Sequence, residues 1–230
     1  MDNEFNKLNE NIKIINYYEI DSHLLHIPKK WVDIFKENNI NKRIEKTLNI
    51  WKSIDFIKLE KVIEYLKYNL LNVELIIYNN QYYILYIIKD CDNTNLYYIG
   101  NLSNKFFEET SIKEYFVKFP KSLKDFYNNI HNGFYNYFYE DGLLEINDIV
   151  CFYNNKDYFI DDLKKYSYNL DINIESTFGI AYNGFGDYVA IDVSEYKDIG
   201  IVLYHDDIEF SYKGNLISIL DDWLLNLFEG

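Results

Sequence analysis

The sequence predicts an α+β fold, a mainly antiparallel sheet flanked by helices, on three observations. Two segments carry apolar side chains at helical spacing. Two pairs of β-branched and aromatic runs are each split by a short Asn- or Gly-containing stretch. The chain has 230 residues, 48% of them hydrophobic, with only 2 Pro and 9 Gly, which excludes a disordered or collagen-like polymer. At that length folding buries about 70% of the surface of the unfolded chain, enough for a core without disulfides or metal.

The elements follow in order. Pro28 opens a short helix over 28–35, where its missing N–H costs nothing. Leu59, Val62, Ile63, Leu66 and Leu70 predict an amphipathic helix over 57–71. Residues 73–78 and 82–88 flank Asn79-Asn80-Gln81 as a hairpin, 96–99 add a third strand, and 111–116 form a short helix. After Pro120, Leu123, Phe126, Tyr127 and Ile130 fall on one face of a helix over 121–131, with Gly133 expected as its stop. Glu140-Asp141-Gly142 reads as a turn, and 146–153 fits strand and helix equally. Phe159, Leu163 and Tyr166 suggest a helix over 158–167.

From there the pattern turns to strands. Residues 177–182 and 188–193 flank Asn183-Gly184-Phe185-Gly186-Asp187, a hairpin turn whose glycines permit positive φ. Residues 199–204 make a third strand, and 208–212 a fourth after the His205-Asp206-Asp207 turn. Ile217, Leu220, Leu224 and Leu227 close the chain on a helix packed against that sheet. Helices are expected to one side of the sheet. The expected division is an N-terminal α+β extension over 1–116, containing helices and a hairpin, and a second unit over 117–230.

Charge narrows the function classes. Residues 120–230 hold 20 Asp and Glu against 7 Lys, whereas the rest hold 17 acids against 16 bases. A net charge of −14 argues against phosphate contacts with nucleic acid and against docking on anionic lipid. Uniform acidity serves solubility, but the asymmetry favours a basic protein partner. The 24 tyrosines accompany abundant Asn, Ile and Lys, a composition bias and not in itself a recognition surface. No basic leader or apolar run of about 20 residues is apparent, so a cytoplasmic protein is expected. Cys91 and Cys151 are too few and too far apart for a disulfide framework or zinc clip, and read as reduced, partly buried thiols.

No set of residues makes a strong catalytic pattern. Gly184-Phe185-Gly186-Asp187 lies between strands and lacks a following Lys-Ser/Thr, so a turn is expected and not a phosphate loop. Asp187 and Asp192 read first as acceptors for local backbone amides, with a shared cleft as the alternative. His23 and His26 have metal-like spacing but no third ligand, and His205-Asp206-Asp207 reads as a solvated turn. Asp161-Asp162 and Asp221-Asp222 read as helix-surface acids. Neither a nucleophile elbow nor a zincin sequence is present, so no catalysis, metal or cofactor is expected.

Four features of the second half follow one another in a set order: a Pro-led helix ending near Asn-Gly (Pro120 through Asn132 and Gly133), a Gly-Leu segment at Gly142-Leu143, a Gly-x-Gly-Asp…Asp strand-turn-strand (Gly184, Gly186, Asp187, Asp192) and a final Trp-Leu helix at Trp223-Leu224. In that order they resemble the SUKH superfamily, the Smi/Knr type of domain. The resemblance covers about 117–230, and the order of the pieces carries it. It implies an α+β fold and, in bacteria, an immunity protein that neutralises a cognate toxin domain, many such toxins being basic nucleases. Fungal relatives imply the alternative of a regulatory protein-binding scaffold. A hydrolase using Asp187 and Asp192 is the remaining alternative. The expected contact set on such a toxin is Glu140, Asp141, Asp206, Asp207 and Glu209, with Tyr135, Tyr137 and Tyr139 as aromatic anchors.

Overall fold

Antiparallel pairing runs unbroken across the molecule. The computed structural model describes residues 12–53, 58–102, 112–138, 140–154, 158–194 and 197–229, and its eleven strands form one sheet. In chain order these are β1 (Lys13–Ile15), β2 (Leu70–Tyr78), β3 (Gln81–Lys89), β4 (Asn95–Asn101), β5 (Asn132–Asn136) and β6 (Gly142–Leu143). Then come β7 (Val150–Cys151), β8 (Thr177–Tyr182), β9 (Tyr188–Asp192), β10 (Ile199–Leu203) and β11 (Tyr212–Asn215). The spatial order follows the chain, except that β6 and β7 both pair with β8. The helices are α1 (Lys29–Phe35), α2 (Ile40–Lys52), α3 (Glu60–Asn69), α4 (Lys113–Phe116), α5 (Lys121–Asn129), α6 (Tyr158–Leu170) and α7 (Leu216–Glu229).

Strand alternation divides the apolar residues between two faces. Ile84, Tyr86 and Ile88 of β3 meet Trp31, Trp51, Leu66 and Phe126 from α1, α2, α3 and α5, while Tyr83 and Leu85 point the other way. Val189 and Ile191 of β9 join the same core as Leu220, Leu224 and Phe228 of α7. Ala190 instead meets Leu163 of α6, with Ile201 and Leu203. The expectation that helices lie to one side is therefore corrected, because α6 covers the opposite face of the C-terminal strands. No helix among the described residues is long and apolar enough to cross a membrane.

The first hairpin turns on two residues. Asn79 and Asn80 adopt φ of 48° and 61°, the left-handed pair whose twist matches the flanking strands. Two further expectations are corrected. Helix α5 stops at Asn129, and Gly133 lies inside β5 at φ +81°, where an added Cβ would sit 2.8 Å from the Glu145 amide. The strand expected over 208–212 is a short 3-10 turn, Ile208–Phe210, followed by β11. There the Ser211 hydroxyl accepts from the Tyr204 N–H at 3.0 Å, so a side chain replaces the backbone partner and pairing starts one residue later.

Helix α2 is absent from the sequence reading because its buried face carries polar residues, Arg43 and Thr47, among Leu48 and Trp51. Arg43, the only arginine, donates to the Val73 carbonyl, the Glu37 carbonyl and the Glu74 carboxylate, so the guanidinium is satisfied by the protein itself.

The first and second halves share a sheet and a core. β4 pairs with β5, and α7 packs on α3. Asp221 is 5% exposed and accepts from the Lys61 and Val62 amides at 3.0 and 2.9 Å, which caps α3 from a helix 160 residues away. Leu59, at the helix's own cap position, offers no side-chain acceptor. Asp221 is thus no surface acid, whereas Asp222 is exposed and pairs with Lys61.

Candidate functional site

Strand register determines which loops meet. Lys89 pairs with Asn95, Tyr98 with Asn136, Tyr135 with Gly142, and Gly142 with Tyr182. Tyr182 then pairs with Tyr188, Tyr188 with Leu203, and Val202 with Tyr212. These pairs put the connections 90–94, 137–141, 183–187 and 204–211 at one end of the sheet. From the β3–β4 turn to the β10–β11 connection they span six strand spacings, or about 29 Å.

Those connections hold Asp90, Asp92, Glu140, Asp141, Asp187, Asp206, Asp207 and Glu209, and no Lys or Arg. Lys89, just before the first of them, donates to Asn93. The C-terminus of α7 reaches the same end, where the Cys91 thiol donates to the Glu229 carbonyl and the Tyr98 hydroxyl to the Leu227 carbonyl. The carbonyl end of a helix carries partial negative charge and adds to the field. Cys91 is exposed, contrary to the expected partial burial, and Cys151 is half-buried; both thiols are free.

The carboxylates are not equivalent. Burial pushes Asp141 up to about 6, against a weak opposing bond from the Tyr98 hydroxyl. Asp148, on the adjoining 3-10 turn, is raised by burial and by the charge of Glu140. Glu145 is buried and raised by desolvation, although Asn101 and Tyr135 both donate to it. Asp187 goes the other way. Burial raises it, but bonds from the His205 amide and ring and from Asn183 outweigh burial and hold it below the usual range. Glu209 accepts from the Tyr166 hydroxyl, and Asp206 lies 3.0 Å from His205 Nε2. Glu140 has φ +56°, a conformation rare for L side chains.

The expected tyrosines lie within the sheet face. Tyr135 is half-buried and donates to Glu145 Oε1 at 2.9 Å, and Tyr137 packs edge-on against Tyr78 with centroids 5.4 Å apart. Tyr139 lies outside the described residues. The aromatic rings that project at this end are Phe138, Phe185 and Phe210, at 42%, 81% and 72% exposure. The signal for Phe185 was its place inside a Gly-x-Gly turn, where no core position calls for a large apolar side chain.

The motif residues do structural work. Pro120 stands at the N-cap of α5, and Asn132 Oδ1 accepts from the Ile146 amide. Gly184 and Gly186 have φ of +78° and +111°. Trp223 is partly buried against the core. Asp192 accepts from the Asn173 and Ser194 amides and the Ser176 hydroxyl, which together outweigh burial and lower its pKa. Asp187 and Asp192 sit at opposite ends of β9, about 16 Å apart, and the fold brings them into no common cleft. His23 Nδ1 lies 2.8 Å from the Tyr82 hydroxyl, while the side chains of His26 and Asp162 lie outside the described residues. Among the described residues no group of three His, Cys, Asp or Glu is placed to hold a metal ion.

At the opposite end of the sheet an open groove of about 480 Å³ is lined by Asp171, Asp192, Lys197, Ile199 and Lys213. Acids and lysines are mixed there, and the Lys213 ammonium donates to the Asp171 carbonyl. No family model, curated protein or solved structure matches this chain.

Proposed function

We propose that this chain is a stoichiometric inhibitor of the immunity type, which binds a cognate, basic bacterial toxin domain in the cytoplasm and performs no chemistry of its own. The observation that carries this reading is the convergence of eight carboxylates, without Lys or Arg, around three exposed phenylalanines at one end of the sheet. A patch about 29 Å across is the scale of a standard interface, about 800 Å² per partner. Glu140, Asp141, Asp206, Asp207 and Glu209 attract a Lys- and Arg-rich surface and speed encounter. Phe138, Phe185 and Phe210 supply desolvated anchors, because a few large rings carry most interface energy. Tyr135 and Tyr137 act behind them by holding the sheet face that presents the β5–β6 turn. The SUKH resemblance of the second half adds support from the order of its motifs.

Growth rescue tests the reading. Co-expression with a basic toxin domain, sought first in the reading frame adjacent to its gene, is expected to restore growth, and an unrelated protein of equal negative charge is not. Rescue by both, or by neither, counts against a specific inhibitor.

A further inference from the structure

The projecting rings of the acidic end are regularly placed. Phe138 sits in the β5–β6 turn, Phe185 in the β8–β9 turn and Phe210 in the β10–β11 connection, at 42%, 81% and 72% exposure. In the sheet order β5-β6-β8-β9-β10-β11 those three connections recur every second strand, which spaces them about 9.6 Å apart. Each also carries carboxylates: Glu140 and Asp141 in the first, Asp187 in the second, and Asp206, Asp207 and Glu209 in the third.

The row is held from beneath. Phe138 packs edge-on against Tyr97 and Tyr137, with centroids 5.9 and 5.2 Å apart. Asn183 Oδ1 accepts from the Phe185 and Asp187 amides at 3.0 and 3.1 Å, which fixes the turn that lifts Phe185 into solvent. The His205 amide donates to Asp187 Oδ1 at 2.9 Å and ties that turn to the next connection. There Ile208, two residues before Phe210, is buried in the cluster of Leu163 and Leu203. Tyr97 and Ile208 lie on the same side of the sheet, away from α7.

A repeat of this length selects among regular backbone shapes. Side chains on one face of a strand recur at about 6.7 Å, so a strand meets one ring and misses the next. A helix recurs at about 10.5 Å over seven residues, but its apolar stripe also needs the residues three and four along. Those would face carboxylates instead of rings. A polyproline II helix repeats every three residues, about 9.3 Å, and presents one side chain per turn to a given line. Its other positions are free to carry Lys or Arg toward the carboxylates.

We infer that this row binds a proline-rich, basic segment in the polyproline II conformation, with one residue in three against Phe138, Phe185 and Phe210. About seven residues reach across the three connections, at about 3.1 Å each. Proline rings stack on exposed aromatics, and a backbone already extended loses little freedom on binding. On the inhibitor reading, on which this assignment rests, the segment is the part of the toxin that meets the acidic end.

The test uses the full-length protein and a fluorescent peptide of four Pro-Pro-Lys repeats, with four Gly-Ser-Lys repeats as a control of equal charge. In about 0.15 M salt the proline peptide is expected to bind about tenfold more tightly than the control. Phe185→Ala combined with Phe210→Ala is expected to abolish that difference and leave binding of the control unchanged. Both rings are exposed, and thermal melts check that the variant is folded. Equal affinity for the two peptides, a preference that survives the double variant, or no binding of the proline peptide below about 1 mM would overturn the inference. If growth rescue holds beside such a result, only the proline segment falls; if rescue fails as well, the inhibitor reading falls with it.

Discussion

Glu140 holds a left-handed backbone conformation that costs an L residue about 1–2 kcal/mol, in a turn where Asn or Gly would be strain-free. Retained strain of this kind marks a position kept for its side chain. Glu140→Asn is expected to raise stability by about 0.5–1 kcal/mol in denaturant melts while slowing association with the toxin. Lower stability would show that the carboxylate has a structural role. His131 sets a second expectation. Its folded pKa lies well below the usual value because burial excludes the charged ring. The unfolded state therefore takes up the proton first, and the stability owed to neutral His131 is complete above about pH 6.5 and lost as pH falls below it. The stability gap between the wild type and His131→Gln should shrink from pH 7 to pH 5, by at most about 1.4 kcal/mol per unit. A gap independent of pH would contradict this. The acids of the β5–β6 turn were legible beside Gly142, whereas the signal for Phe185, a large ring between two turn glycines, is weaker because it names no partner and no neighbouring ring.

Helix α3 takes its N-terminal cap from Asp221 on α7, so the two elements are coupled by hydrogen bonds as well as by apolar packing. Asp221→Ala leaves two amides of α3 without their acceptor and is expected to cost about 1–2 kcal/mol, with Asp221→Asn recovering part of it. Thermal melts of both variants check this, and equal losses would mean that the carboxylate does not act as a cap. Most elements were readable from period alone. α5, α7 and the hairpins β2–β3 and β8–β9 lie where apolar spacing put them, because their buried positions are apolar. α2 escaped notice for the opposite reason, since Arg43 and Thr47 occupy its buried face. The segment 146–153 resolved into two 3-10 turns around the two-residue β7, too short for either period to register.

At the scale of the molecule, six of the 20 acids of residues 120–230 meet in the turns at one end of one sheet, while Asp171 and Asp192 line the groove at the other end. Asp90 and Asp92 belong to the first half, yet register sets their turn beside the β5–β6 turn. Strand order was beyond the sequence, which shows which segments are strands and not which of them pair. The far end mixes lysine and carboxylate around its groove and lacks a field of one sign. Protonation should act on the same end, because Asp141 titrates at about 6 and binding of a basic partner should weaken from pH 7 to pH 5. The most direct test is the association rate constant with the toxin domain identified by growth rescue, measured from about 0.05 to 0.5 M salt. The wild type should slow by roughly tenfold or more over that range. Replacing Glu140, Asp141, Asp206 and Asp207 with their amides should give a slow, nearly salt-independent rate. A quadruple variant that associates as fast as the wild type, with the same salt dependence, would contradict the assignment of this end as the binding surface.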